Sequence, residues 1–171
     1  MAFTVQNDQG SVTGANAYVD VAFFKAYHEE RGNTFVDDDE KIEQAIIKAT
    51  DYLDHRFNFV GSRSQGRSQT TEWPRRDAWD VNEDLVNGIP VEVKEACCEY
   101  ALIAQQMTLN PTPTRDASGA AIQAKSESVG PISRSVTYVG GAAFSMPKYP
   151  VADSRLKRTG LVISGGTFQR A

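Results

Sequence analysis

Apolar residues recur at helical spacing in three segments of the first 110 residues. The first segment begins after Asp20, whose side chain suits an N-cap, and Gly32 is a natural stop. Its apolar positions are Val21, Phe24, Tyr27 and His28. This spacing predicts a short amphipathic helix close to the start of the chain.

The second and third segments predict longer helices that supply most of the core. An acidic run at residues 37–40 suits the positive end of a helix dipole, and a helix is expected over 42–54. Pro90 suits the first turn of a third helix over 91–108, which Pro111 ends. The predicted core face of the second helix consists of Ile42, Ala45, Ile46, Ala49 and Leu53.

Between these two helices, residues 58–88 lose the periodicity and combine cations with aromatic rings. A structureless loop of this length is uncommon in a compact domain and is more often functional. The candidate residues of the loop are Arg63, Arg67, Trp73, Arg75 and Arg76, with Trp79 nearby.

The pattern changes again after the third helix. Residues 111–128 are small and polar and predict a linker, and the alternation over 132–138 predicts a strand. The last thirty residues hold too few apolar side chains for a core of their own, so we expect them to bury against something else. We therefore predict a helical body (1–110), a linker (111–128), and a β element with a C-terminal arm (129–171). The predicted fold class is mainly α (α+β): a small helical bundle with a long inter-helix loop, a short β element and an extended C-terminal arm.

The charge is divided unevenly along the chain. The net charge is -4, but residues 1–100 carry 19 acids and ten bases, whereas residues 101–171 carry three acids and eight bases. An acidic body of -9 therefore precedes a basic region of +5, which indicates an acidic partner, either nucleic acid or protein. No apolar run approaches the roughly 18–20 residues that cross a bilayer, so we expect no membrane partner.

Catalytic motifs are missing from the sequence. His28 and His55 stand near carboxylates, but no HExxH, GxSxG or phosphate-binding loop accompanies them. Cys97 and Cys98 are adjacent, so they provide no spaced metal ligands and are expected to pack in the core of a protein made in a reducing compartment. We expect no enzyme activity, no catalytic residue, no metal and no cofactor.

The arginines and tryptophans of the loop leave two interpretations open. Cations beside π-faces are typical of single-stranded nucleic-acid binding, where bases stack on aromatic rings along a positive groove. Alternatively, Trp73 anchors the loop on the helices while Pro74 sets its direction. Nearby acids, such as Glu72 and Asp77, favour this second interpretation because they cancel most of the local charge.

Several short landmarks occur in an order that resembles the phage neck adaptor (head-to-tail connector) family, whose members are often labelled DnaT-like single-stranded-DNA-binding proteins. The likeness covers residues 14–138, with the tail less alike. The landmarks are residues 14–20 (GANAYVD), 26–33 (AYHEERGN), 47–54 (IKATDYLD), 72–75 (EWPR), 89–96 (IPVEVKEA) and 129–132 (VGPI).

This resemblance implies a non-enzymatic virion protein, made in the host cytoplasm and placed at the head–tail interface. Such adaptors form a ring, typically of twelve copies, beneath the portal protein. Their lower face receives a downstream neck or tail protein, and genomic DNA passes through the lumen. The resemblance places portal docking on the arm, with apolar anchors and pairing charges at Phe144, Met146, Tyr149, Arg155, Leu156, Lys157, Arg158 and Phe168. The alternative is a single-stranded-DNA-binding (DnaT-like) module that uses the loop.

Overall fold

The chain forms two compact units. The structure is a computed structural model that describes residues 2–112, 122–128, 133–138 and 147–163. The body comprises Met1–Leu109 together with Lys148–Ala171, and the second unit is Asn110–Pro147. The fold is mainly helical with small antiparallel sheets, which confirms the predicted α+β class.

Helix α1 (Val21–Glu29) begins where its cap predicts. The Asp20 carboxylate accepts a hydrogen bond from the Phe23 backbone N–H at 2.7 Å, and Phe24, Tyr27 and His28 face the core. Both ring nitrogens of His28 are hydrogen-bonded. Asn33 Nδ2 lies 3.1 Å from Nδ1, and the Cys98 carbonyl oxygen lies 3.1 Å from Nε2. Burial lowers the pKa of His28, so the buried ring is neutral.

Helices α2 (Asp39–Arg56) and α3 (Val91–Gln106) pack together and carry most of the core. The five apolar residues predicted for α2 are all buried. Across the helix pair, the rings of Tyr52 and Tyr100 lie 5.1 Å apart, and Thr50 Oγ1 lies 3.5 Å from Cys97 Sγ. Burial raises the pKa of both Cys97 and Cys98, so these thiols pack as apolar groups.

A fourth helix, α4 (Pro150–Lys157), packs on α3 within the same body. Tyr100 Oη donates to Asp153 Oδ1 at 2.6 Å, and Arg56 Nη2 lies 3.4 Å from Asp153 Oδ2. Leu156 is 1% exposed and belongs to the core. We predicted an extended arm here; instead, its described part contains a short helix that buries Ala152 and Leu156 and packs on the chain's own α3.

Two short strands, β1 (Ser62–Arg63) and β2 (Arg75–Arg76), pair within the loop between α2 and α3. The second unit holds β3 (Ile122–Ser128) antiparallel to β4 (Ser133–Tyr138). Strand β4 confirms the predicted strand, whereas β3 lies where we predicted linker. Backbone pairing with β4 explains this difference, because cross-strand hydrogen bonds need no apolar pattern in the sequence. Among the described residues, no helix has both the length and the apolar character needed to span a bilayer.

The seating of α4 predicts an unequal response to two substitutions in the same helix. Leu156→Ala should lower the free energy of unfolding by about 2–5 kcal/mol, because it empties a buried leucine site. Val151→Ala should change it by less than about 0.5 kcal/mol, because Val151 is 61% exposed. Urea denaturation of both variants measures the difference, and equal effects would contradict the packing of α4 on the body.

Candidate functional site

The loop between α2 and α3 is organised around Glu72. Arg63 donates to Glu72 Oε1 through Nε at 3.0 Å and also through Nη2, while Arg75 Nη1 donates to Glu72 Oε2. Burial acts to raise the pKa of Glu72, but the hydrogen bonds and charges of the two arginines outweigh it and hold the pKa below its usual value. The carboxylate is therefore ionised at neutral pH.

The guanidinium of Arg75 donates hydrogen bonds to the chain's own backbone. Its Nε donates to the Val60 carbonyl at 2.7 Å and its Nη2 to the Gly61 carbonyl at 2.8 Å. Arg63 similarly donates to the Gln69 carbonyl at 3.2 Å. A guanidinium presents five N–H donors, and here most of those of Arg75 are directed at the loop itself. These two predicted site residues therefore hold the loop in shape.

Trp73 lies in the core. Its side chain is 0% exposed, and its ring meets the Phe59 ring edge-on at 5.6 Å. The Trp73 backbone N–H donates to Tyr18 Oη at 3.1 Å. A base has no access to the face of this ring, so the geometry agrees with the anchoring interpretation of Trp73.

A second carboxylate, that of Asp54, joins the loop to α2. Asp54 accepts from Tyr18 Oη through Oδ1 and from the Glu72 backbone N–H through Oδ2 at 3.0 Å. Burial raises the pKa of Asp54 to about 7, although both hydrogen bonds favour its ionised form. The sequence pattern did not single out Asp54 as a site residue. Its only signal was a position in the last turn of a helix with a clear apolar face.

The two remaining arginines of the predicted cluster point outward. Arg67, in a 3₁₀ turn at Gly66–Ser68, and Arg76, on β2, are both exposed. Among the residues that the structure describes, no carboxylate lies within 4.0 Å of either guanidinium. Arg76 Nε donates only to Ser62 Oγ, at 3.1 Å. The structure thus divides the predicted cluster into an inner half (Arg63, Trp73 and Arg75) and an outer half (Arg67 and Arg76).

Exposed apolar residues follow directly after this hairpin. Trp79 is 55% exposed, and Val81 and Leu85 are exposed as well. Val81 also lines an open groove of about 580 Å³, together with Pro90, Arg158 and Leu161. Exposed apolar residues that cluster in one place mark an interaction surface, and the sequence pattern did not single this one out.

The predicted docking residues of the arm occupy different environments. Leu156 is in the core, and Tyr149 is half-buried, with its hydroxyl donating to the Leu109 carbonyl at 2.9 Å. Arg155 pairs with Glu95 and Glu99 on α3. Two of the arm's predicted pairing charges, Lys157 and Arg158, are exposed. The remaining predicted anchors, Phe144, Met146 and Phe168, lie outside the described residues.

The described part of the chain holds no group of three or more His, Cys, Asp or Glu side chains that could bind a metal ion. Of the two histidines, His28 is buried as above, and His55 Nδ1 lies 2.6 Å from the Asp51 carbonyl at the end of α2.

Comparison with known proteins gives one family. A family model described as "Putative DnaT-like ssDNA binding protein" matches residues 1–170. Searches of curated proteins and of solved structures found no match.

Asp54 predicts a pH dependence of stability. The pKa of an aspartate in an unfolded chain is about 4, so between pH 4 and 7 the folded state binds the proton more tightly. The free energy of unfolding therefore loses an Asp54 contribution as the pH rises through this range. His28 acts in the opposite direction, because its lowered pKa makes the folded state bind fewer protons than the unfolded chain near pH 6.5.

A single substitution separates these two groups. The free energy of unfolding of Asp54→Asn, minus that of the unaltered protein, should rise between pH 5 and 8, because His28 contributes equally to both. Urea denaturation at several pH values measures this difference. Parallel pH profiles for the two proteins would contradict a raised pKa at Asp54.

Proposed function

The chain belongs to the family described as DnaT-like ssDNA binding protein, and from this premise we propose that it is a non-enzymatic adaptor subunit of a phage neck. In this role it forms a ring that joins the portal protein to a downstream neck or tail protein and lets DNA pass. The observation that carries the proposal is the fixed, exposed apolar surface at Trp79, Val81 and Leu85, which suits contact with protein.

The inner half of the arginine and tryptophan cluster supports a structural role. Arg63 and Arg75 share the Glu72 carboxylate, and Trp73 is closed off in the core. Nucleic-acid binding needs cations and aromatic faces that solvent can reach. The two arginines instead pair with a carboxylate of the same chain, and the tryptophan ring packs in the core.

The charge of the body supports the same role. Residues 1–100 carry a net charge of -9, and like charge repels phosphate. DNA that slides through a lumen must not adhere to its wall. The resemblance to neck adaptors also supports this role. It rests on the ordered sequence landmarks, several of which contain buried residues of the body.

The adaptor proposal predicts self-association and portal binding. Native mass spectrometry of the purified protein, alone and with the portal protein of the same phage, should show a closed oligomer that binds the portal. Lys157→Glu combined with Arg158→Glu should weaken portal binding at least tenfold and leave the oligomer intact, because both side chains are exposed. A protein that stays monomeric under both conditions would contradict the adaptor proposal.

A second candidate is single-stranded-DNA binding, which the family description names directly. The exposed Arg67 and Arg76 favour it, since neither meets a carboxylate within the described residues. The comparisons support this candidate more directly than the adaptor, whose support comes from the sequence landmarks and the geometry of the body.

DNA binding of this kind predicts a steep dependence on salt. A fluorescent oligo(dT) should bind with a dissociation constant of about 10⁻⁴–10⁻⁶ M at physiological salt and should dissociate as salt is added. Arg67→Glu with Arg76→Glu should abolish this binding, whereas Lys48→Glu, an exposed control on α2, should lower it only slightly. Fluorescence anisotropy measures all three proteins, and the absence of salt-sensitive binding by the unaltered protein would eliminate this candidate.

A further inference from the structure

We propose that copies of the chain associate head to tail through two oppositely charged surfaces. The acidic loop (residues 77–85) of one copy contacts the basic hairpin (residues 62–76) of the next copy. This inference rests on the ring-forming role proposed above and assigns its subunit interface to particular residues.

The acidic loop combines uncompensated charge with apolar surface. Its nine residues include four carboxylates and no base, and within the described residues no basic group lies within 4.0 Å of any of the four. Trp79, Val81 and Leu85 stand exposed among these charges. The four acidic residues are Asp77, Asp80, Glu83 and Asp84.

Hydrogen bonds hold the acidic loop in one shape. Asp80 Oδ1 accepts from the Asn82 backbone N–H at 2.8 Å and from the Asp84 backbone N–H at 2.9 Å. Trp79 and Leu85 form an antiparallel bridge across the base of the loop. A surface that is already ordered loses little conformational entropy when it binds.

The segment after α4 supports the loop from below. The Val81 backbone N–H donates to the Thr159 carbonyl at 2.8 Å. Gly160 packs so closely that a β-carbon there would lie 3.0 Å from the Val81 nitrogen. The glycine also has φ +74°, a conformation that other residues seldom adopt. The exposure of Val81 is therefore built into the fold.

The basic hairpin carries the complementary charge. It has four arginines against one glutamate, a net charge of +3, whereas the acidic loop has a net charge of -4. Glu72 offsets one of the two charges of Arg63 and Arg75, and the two arginines whose side chains are exposed are Arg67 and Arg76.

The two surfaces do not neutralise each other within one copy. Gly61 packs against the backbone of residues 76–78, and a β-carbon there would collide with the Arg76 carbonyl and lie 3.0 Å from the Ala78 nitrogen. This close packing fixes the junction between hairpin and loop, and no arginine among the described residues lies within 4.0 Å of the loop's carboxylates. A second copy supplies the missing counter-charge, and Trp79 offers its π-face to an incoming guanidinium.

A contact between two different surfaces has a geometric consequence. The acidic loop and the basic hairpin are different surfaces of the same copy, so in a head-to-tail contact every added copy leaves one surface of each kind free. Such a heterologous contact repeats and closes into a ring when the rotation between copies permits. Charge complementarity also sets which surface meets which.

Charge reversal tests the proposed interface with two variants. The loop variant is Glu83→Lys with Asp84→Lys, and the hairpin variant is Arg67→Glu with Arg76→Glu. All four side chains are exposed. Each variant alone should associate at least tenfold more weakly than the unaltered protein, because the loop variant leaves its loop with no net charge and the hairpin variant gives its hairpin a net charge of -1.

An equal mixture of the two variants should restore the oligomer. The introduced lysines of the loop variant meet the introduced glutamates of the hairpin variant, and the acidic loop of the hairpin variant meets the basic hairpin of the loop variant. Native mass spectrometry should show both variants in the same particle, and added salt should weaken it. Lys48→Glu and Glu29→Lys are matched controls that reverse exposed charges elsewhere and should assemble normally.

Different outcomes overturn different claims. If the unaltered protein forms an oligomer that both variants also form, the interface is wrong and the ring proposal stands. The interface is equally wrong if the mixture does not assemble, or if the hairpin variant loses only oligo(dT) binding, since the hairpin is then a nucleic-acid site. An unaltered protein that stays monomeric with and without the portal protein overturns both claims.

Discussion

Two carboxylates, those of Asp54 and Glu72, hold the long segment between α2 and α3 against the helices, and the surfaces of the body depend on them. Asp54 accepts from Tyr18 Oη and from the backbone of Glu72, so a single residue ties the N-terminal segment and the loop to α2. Glu72 then fixes the two strands of the hairpin by pairing with Arg63 and Arg75. A carboxylate that is partly shielded from water costs free energy without its donors, so each of these pairs stabilises the loop against the helices.

The C-terminal segment is fastened to the same helices by another buried carboxylate. Asp153 accepts from Tyr100 and pairs with Arg56, and the rings of Tyr52, Tyr100 and Tyr149 lie 5.1–6.0 Å from one another. Tyr149 also bonds the carbonyl of Leu109, so the chain leaves the body for the second unit and returns to it at neighbouring points. The body residues on either side of the second unit thus lie close together, and the body folds around α2, α3 and α4.

The sequence predicted the parts of this fold in which apolar residues recur at helical spacing. The apolar faces of α1 and α2, their caps and the proline that precedes α3 are local signals, and the structure confirms them. Strand β3 escaped prediction because a polar segment becomes a strand only when a partner strand is present. Helix α4 was expected to bury against something else, but a sequence does not say whether that partner is the same chain.

The arginines of the loop show the same limit at the candidate site. The sequence does not distinguish the four arginines Arg63, Arg67, Arg75 and Arg76. The structure separates them by whether the guanidinium pairs with the Glu72 carboxylate. Residues on one face of the β1–β2 pair turn inward to that carboxylate, whereas Arg76 pairs with Ser62 on the opposite face. An alternation of two residues along a strand is therefore enough to divide similar cations into structural and available ones.

This division changes what the net charge of the chain means. An arginine that pairs with a carboxylate adds little to the field outside the protein, so the whole-chain charge of -4 is a poor guide to partners. The charges that count for recognition are those left without a counter-charge, and on the described body they gather as a basic hairpin beside an acidic loop. A protein built to bind a polyanion would gain by removing those acids. Keeping both signs at full strength on fixed backbone is what an interface with a copy of itself requires.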